Sequence, residues 1–547
     1  MKKLFFFFAA ALSLSLSAQD AAAPKKAPAN WFNLSYATSG VHGVRTEQAY
    51  DLAKGKKADT IIVAVMDGGV DYMHEDLKNV MWHNRGEIAG NGIDDDKNGY
   101  VDDIYGWNFI GNKSGENVEF DNLELVRLLR PLKKKYQGMN ESTVPPTQRE
   151  EFNAYVKLRD EHARQYADAQ KTLDQLGSFK TVFDGMKEDI KTQKNIDTVL
   201  YKDFKEYNPS EKYKRAHLFL KLLIKSEEDW TQVNLEVTDG YKQYYNMVNY
   251  NLNMDYDPRS IVGDNYENAD ERNYGNPDIK GPDALHGTHV AGIIAADRFN
   301  NLGMFGVATP VKIMGIRVVP NGDERDKDVA NGIRYAVDNG ARIINMSFGK
   351  GYSFNKGAVD AAVKYAESKG VLIVHAAGNS NQNNDNNENF PSDHYNGGGT
   401  ASNWIEVGAL SWKDGKDIVA PFSNYGKAEV DVFAPGVDIN APKSNGGYIN
   451  ESGTSMASPV TAGVAAFLLV YYPTLTPAQV KTIIEQSTDK SVAKSKVNRP
   501  GGKPRMTKKR TAKKGPKPKK VKFETLSTTG GIVDLYAAMQ LAETMKK

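Results

Sequence analysis

Near-continuous apolar runs recur along the chain: Ile61-Ile62-Val63-Ala64-Val65, Val311 to Ile316, Ile343 to Met346 and Val371 to Val374. Runs this short and this apolar suit strands buried on both faces. Between them, Asp328 to Asn339 and Ala358 to Lys369 repeat their apolar residues at helical spacing. Strands alternating with helices predict an α/β fold, a doubly wound parallel sheet with helices on both faces. Reactive groups in such sheets gather at the carboxyl ends of the strands. Asp67, Ser347 and Asn379 each follow an apolar run closely.

The pattern changes in the middle of the chain. From 111 to 277 the sequence is rich in Lys and Glu, and its apolar residues fall at helical spacing. Leu123 to Leu129, Phe152 to Leu158, and Leu218-Phe219-Leu220 with Leu222-Leu223 are the clearest cases. This segment predicts an inserted all-helical subdomain, a hairpin or small bundle of long helices. The α/β domain is then split into 47–110 and 278–547, preceded by a short segment, 19–46.

The first residues carry a different signal. Met1-Lys2-Lys3 and the apolar run after them read as a signal peptide over 1–18, ending at Ala18. The run is too short to span a bilayer, so export to the periplasm or the medium is expected, not an integral membrane protein.

Composition narrows the chemistry. The 547 residues include no cysteine, which excludes disulfides, thiolate metal sites and a cysteine nucleophile. Net charge is +2, yet 15 Lys and Arg and no acid lie between Lys490 and Lys522, leaving about −13 on the rest. The stretch 490–522 is expected to be disordered and able to hold an anionic surface. Nothing in it resembles a nucleic-acid recognition motif, so no specific nucleic-acid partner is expected.

Three blocks carry candidate chemistry. In Gly453-Thr454-Ser455-Met456-Ala457-Ser458-Pro459, small residues flank a serine at the start of an apolar helix. Free backbone N–H groups and the positive end of the helix dipole would then surround Ser455. A serine hydroxyl needs a base to become a nucleophile, and His286-Gly287-Thr288-His289 offers one at another helix start. Asp67-Gly68-Gly69, at the end of a buried strand, offers a carboxylate to orient that histidine. His74-Glu75-Asp76 is a rival metal site, but three adjacent residues cannot all face one ion.

Together, and in the order Asp, His, Ser, these blocks resemble the subtilisin-like serine peptidases over about 45–110 and 278–490. Gly68 departs from the Thr or Ser usual in that family. The spacing departs too: 218 residues separate Asp67 from His286, too many for a plain loop. The resemblance implies a subtilisin-like sheet and a serine endopeptidase acting through an acyl-enzyme. It assigns Asp67 to orientation, His286 to proton transfer and Ser455 to attack. It implies that Asn379, in Ala376-Ala377-Gly378-Asn379, donates to the oxyanion. Ser347-Phe348-Gly349, with Gly322 opposite and Gly378, would bind extended protein or peptide substrates by strand addition. Asp323 and Glu324 would favour basic residues upstream of the cut. No cofactor is needed for catalysis.

A second motif, Asp94-Asp95-Asp96-Lys97-Asn98-Gly99-Tyr100-Val101-Asp102, matches the first positions of a calcium loop. Asp94, Asp96, Asn98, Tyr100 and Asp102 are the candidate ligands of a structural calcium, a polar turn being the alternative. Two other functions stay open at this point: a non-catalytic scaffold on the same fold, and a transpeptidase using the same acyl-enzyme.

Overall fold

The computed structural model describes residues 24, 26–501 and 519–545. Strand β1 (Ile61–Asp67) is buried almost throughout and lies in the interior of a seven-stranded sheet, third from one edge. The others are β2 (Gly106–Asn108), β3 (Val311–Arg317), β4 (Ile343–Met346), β5 (Leu372–Ala376), β6 (Trp404–Leu410) and β7 (Val432–Pro435). Their order is β2-β3-β1-β4-β5-β6-β7, and every pairing is parallel. The predicted doubly wound α/β sheet is therefore present. One core lies on each face, consistent with strands that are apolar on both sides.

The helix Thr454–Tyr471 is the spine of one of these cores. It is apolar and long enough to cross a membrane, yet 94% of it is buried inside the protein. The adjacent helix Leu285–Ala295 packs beside it, and Gly292 is tight against Pro442. Trp31, Phe32, Val41 and Val44 sit in the same core, so the described part of segment 19–46 belongs to this domain.

The chain leaves the sheet after β2 and returns through one paired stem. Asn108 and Asn276 exchange backbone hydrogen bonds of 2.9 and 3.0 Å. Between them the described elements are mainly helical: Glu124–Tyr136, the 46-residue Arg149–Lys194, Lys214–Leu223 and Glu227–Asn246. Ser226 caps the last of these by accepting from Asp229 N at 3.1 Å, with three acids in its first turn. Two small apolar clusters hold the insertion together, one around Tyr136 and Phe152, the other around Phe183 and Trp230.

Two expectations need correction. Leu218 and Leu222 are 67% and 64% exposed, and Phe219 and Leu223 are exposed as well. Only Leu220 of that run is buried, because Tyr213, His217, Leu220 and Ile224 form the packed stripe. The basic stretch 490–522 is ordered at both ends, where Lys496–Asn498 pairs antiparallel with Lys520–Lys522. Val497 and Phe523 are buried there against Phe433, which supplies the apolar anchor that charge counting overlooked. Its remainder, 502–518, and the signal segment 1–18 lie outside the described residues.

Candidate active site

β1, β4 and β5 are neighbours in the sheet, so the groups that follow them meet at one edge. Asp67 closes β1 and accepts from Gly68 N at 2.7 Å. His286 is the second residue of the helix Leu285–Ala295. Its Nδ1 lies 2.8 and 2.9 Å from the two Asp67 oxygens. Gly287 permits this approach: a Cβ there would press on Asp67 Cβ at 2.9 Å and collide with the Gly69 carbonyl. The His286 side chain remains 45% exposed while that of Asp67 is buried. Burial of the ring opposes its charge, but Asp67, with Glu451 and Asp283 farther away, outweighs this and holds its pKa above the ordinary 6.5.

Ser455 occupies the first turn of the helix Thr454–Tyr471. Its hydroxyl donates to the Ser347 carbonyl at 3.1 Å, and among the described residues it makes no hydrogen bond to His286. Such bonds often form only once substrate is present. Asn379 follows β5, and its Oδ1 accepts from Thr454 N at 2.8 Å and Thr454 Oγ1 at 3.1 Å. That fixes the amide so that Nδ2 has no partner among the described residues. A Cβ on Gly453 would sit 3.4 Å from Asn379 Nδ2 and 3.5 Å from Ser455 N. Two free donors thus converge on a space kept open by a glycine, the arrangement that stabilises a developing oxyanion. Asn379→Ala should lower kcat about 100–1000-fold with little change in KM, the range a single oxyanion donor carries. Steady-state kinetics on a peptide ester checks this.

The walls of the cleft follow. Ser347 Oγ donates to the Ser455 carbonyl at 2.9 Å, tying the end of β4 to the helix that carries Ser455. Gly378 N donates to Thr454 Oγ1 at 3.1 Å, and a Cβ on Gly378 would strike Asn424 Nδ2 at 2.6 Å. Gly349 is similarly pressed by Asn389 Oδ1. Phe348 O accepts from His375 Nε2 at 2.8 Å, while His375 Nδ1 lies 2.8 Å from Glu406. Burial opposes charge on His375, yet Glu406 outweighs it and raises its pKa. Sequence reading missed this pair; its only signal was a polar residue, His375, at the end of an apolar strand run.

Gly322 faces Asp121 of the insertion so closely that any Cβ would collide with the Asp121 carbonyl. Asp323 and Glu324 do not present carboxylates to solvent. Asp323 Oδ2 accepts from Glu124 N at 2.7 Å, and Glu324 is 2% exposed. The expected preference for basic upstream residues loses its basis, because these acids face the insertion and the interior.

The second histidine of the motif, His289, is buried with Nε2 3.0 Å from Ile439 O and 3.1 Å from Ile449 O. Burial pushes its pKa down to about 4, so it is a neutral packing group. His74 is also taken up locally: Nε2 lies 3.0 Å from Gly447 O, and Nδ1 accepts from Asp76 N at 3.1 Å.

The acidic loop is arranged differently from the sequence expectation. Asp94 accepts from the amides of Asn98 and Gly99, and Asp102 from those of Gly90, Asn91 and Gly92. Asn98 Oδ1 accepts from Tyr100 N at 2.8 Å, and the Tyr100 ring packs on Trp107. Of the five candidates only Asp96 enters a cluster, with Glu87 and Asp103, whose carboxylates lie within 4.8 Å of one another. Short acidic side chains satisfy nearby loop amides first, which spacing alone does not reveal.

An Asp-oriented histidine, a serine at a helix start and two converging donors define the site of a serine-nucleophile hydrolase. The chain belongs to the subtilase family, whose sequence profile matches residues 58–504. It is 41% identical over 206 residues to the thermophilic serine proteinase of Bacillus sp. (strain AK1), covering 38% of this chain and 47% of that one. Identity to thermitase of Thermoactinomyces vulgaris is 40% over 206 residues, covering 38% and 67%. Identity to the thermostable alkaline protease of Halalkalibacterium halodurans is 38% over 203 residues, covering 37% and 52%. The chain thus spans about half the length of the first and third of these relatives.

Proposed function

We propose that the protein is an exported serine endopeptidase that hydrolyses extended protein substrates through an acyl-enzyme. The observation that carries this is the convergence of Asn379 Nδ2 and Ser455 N beside a nucleophile whose histidine partner is held 2.8 Å from Asp67. In the first step Ser455 Oγ attacks the peptide carbonyl and gives its proton to His286. The carbonyl oxygen becomes an oxyanion facing the two donors, and His286 then protonates the departing amine. Water repeats the sequence on the ester and frees Ser455. Export rests on the sequence of residues 1–18. A fluorophosphonate probe tests the reading: covalent labelling of the purified protein, together with cleavage of an unfolded protein, is expected. Failure of both sinks it.

The acidic loop supports a structural divalent cation, with calcium as the first ion to try. The donors that fit are the hard oxygens of Glu87, Asp96 and Asp103, and no step of peptide hydrolysis passes through them. Calcium should raise Tm and chelator should lower it, by about 2.7 kcal/mol of stability at a hundredfold excess over Kd. Asp96→Asn should remove that dependence. Thermal unfolding that ignores both calcium and chelator would count against the site.

A further inference from the structure

We infer that the helical insertion ends the upstream substrate groove after about three residues, by capping the Glu324 carbonyl with Arg127 and Lys350. This rests on the peptidase reading above.

Two backbone segments flank the approach to Ser455. In Ser347–Lys350 the hydrogen bonding alternates. Phe348 O accepts from His375, and Lys350 exchanges backbone bonds of 2.9 and 2.8 Å with Phe390. Ser347 and Gly349 therefore face the other way, toward Ser455, whose hydroxyl meets Ser347 O. The Gly349 amide and carbonyl make no hydrogen bond among the described residues.

The opposite segment alternates too. Asn321 N donates to Glu119 O at 2.7 Å, Asp121 N to Asn321 O at 3.2 Å and Asp323 N to Asn122 O at 3.4 Å. The backbone of Asn321 and Asp323 is thus paired with the insertion, and by alternation the backbone N–H and C=O groups of Gly322 and Glu324, though not the Glu324 side chain, point toward the groove. The Gly322 backbone is unpartnered among the described residues. The Glu324 carbonyl is not, since it accepts from Arg127 at 2.9 Å and from Lys350 at 2.7 Å.

Register follows from these contacts. A peptide lying antiparallel to Ser347–Lys350 advances one residue per position. Its attacked carbonyl lies at Ser455, so the residue before the cut sits opposite Ser347. The second residue upstream then pairs with Gly322 and the third with Gly349. The fourth reaches Lys350 and Glu324, where the acceptor is already occupied. The cap is firmly held: Glu124 lies 2.7 Å from both Arg127 and Lys350, and the Glu124 side chain is fully buried. Displacing either cation would leave buried charges unpaired, which a peptide backbone cannot offset.

The test is a series of N-acetylated fluorogenic peptides that share one cleavage site and carry one to six residues upstream. kcat/KM is expected to rise roughly 2–10-fold for each residue up to the third, the worth of a paired backbone contact. From the fourth to the sixth it should change less than about twofold by the same reasoning. A continued rise through the fourth and fifth residues would overturn the inference. In the double variant Arg127→Met/Lys350→Met, which removes both donors to the Glu324 carbonyl, the fourth residue should regain a measurable gain; an unchanged profile in the folded variant also overturns the inference. If the double variant does not fold, the series on the unaltered protein still decides. Cleavage of no member, together with no probe labelling, removes the peptidase reading itself.

Discussion

Ser455→Ala is expected to lower kcat on the order of 10⁶-fold while leaving the fold and peptide affinity intact, a size carried over from subtilisin, a member of the same family. The hydroxyl contributes one hydrogen bond among the described residues, to the carbonyl of the buried Ser347. Losing it leaves no buried donor stranded, so unfolding should be little affected. Labelling by the fluorophosphonate should vanish altogether. A small residual hydrolysis, about a thousandfold above water, is expected from Asn379 Nδ2 and the backbone amide of residue 455, which survive the substitution. A variant that labels, or that retains more than about a thousandth of the activity, would move the nucleophile away from Ser455.

Asp67→Asn should cost about 10⁴-fold in kcat, because an amide favours the wrong imidazole tautomer while preserving shape. The accompanying pH profile distinguishes orientation from mere packing. His286 acts as a base only when neutral, so activity falls as pH drops through its pKa. Asp67 is the leading influence that raises that pKa, ahead of Glu451 and Asp283. Removing its charge should therefore shift the acidic limb of kcat/KM to lower pH. An acidic limb that stays in place would show that Asp67 does not set the proton affinity of His286.

The sheet was legible because β1 and β3 to β5 are apolar on both faces, and a parallel sheet covered by helices is the arrangement that tolerates this. Asp67, His286 and Ser455, the proposed triad, were legible because each sits in a run of small residues that a crowded site requires, as Gly287 against Asp67 illustrates. The cap was not. Glu124, Arg127 and Lys350 look like ordinary solvated charges in sequence, and only the docking of the insertion buries them together. Helical spacing likewise marked Leu218 and Leu222 without revealing that the packed stripe runs through His217 and Leu220 instead. In the acidic loop, side chains that spacing marked as candidate cation ligands are engaged by nearby loop amides, an arrangement spacing does not reveal.

The paired stem at Asn108 and Asn276 has a consequence for how such a protein can vary over evolutionary time. Because the two ends of the insertion already meet by backbone hydrogen bonds, lengthening or shortening the helices beyond them adds only a slowly growing closure entropy. The far ends of Arg149–Lys194 and Glu227–Asn246 are free to change length without disturbing the sheet, whereas the near half of Arg149–Lys194 is tied to the segment after β4 by Glu161 and Tyr352. Residues 119–127 are not, since they form part of the cleft wall. Divergent descendants of this chain should therefore differ most at the tip of the hairpin and least at its root.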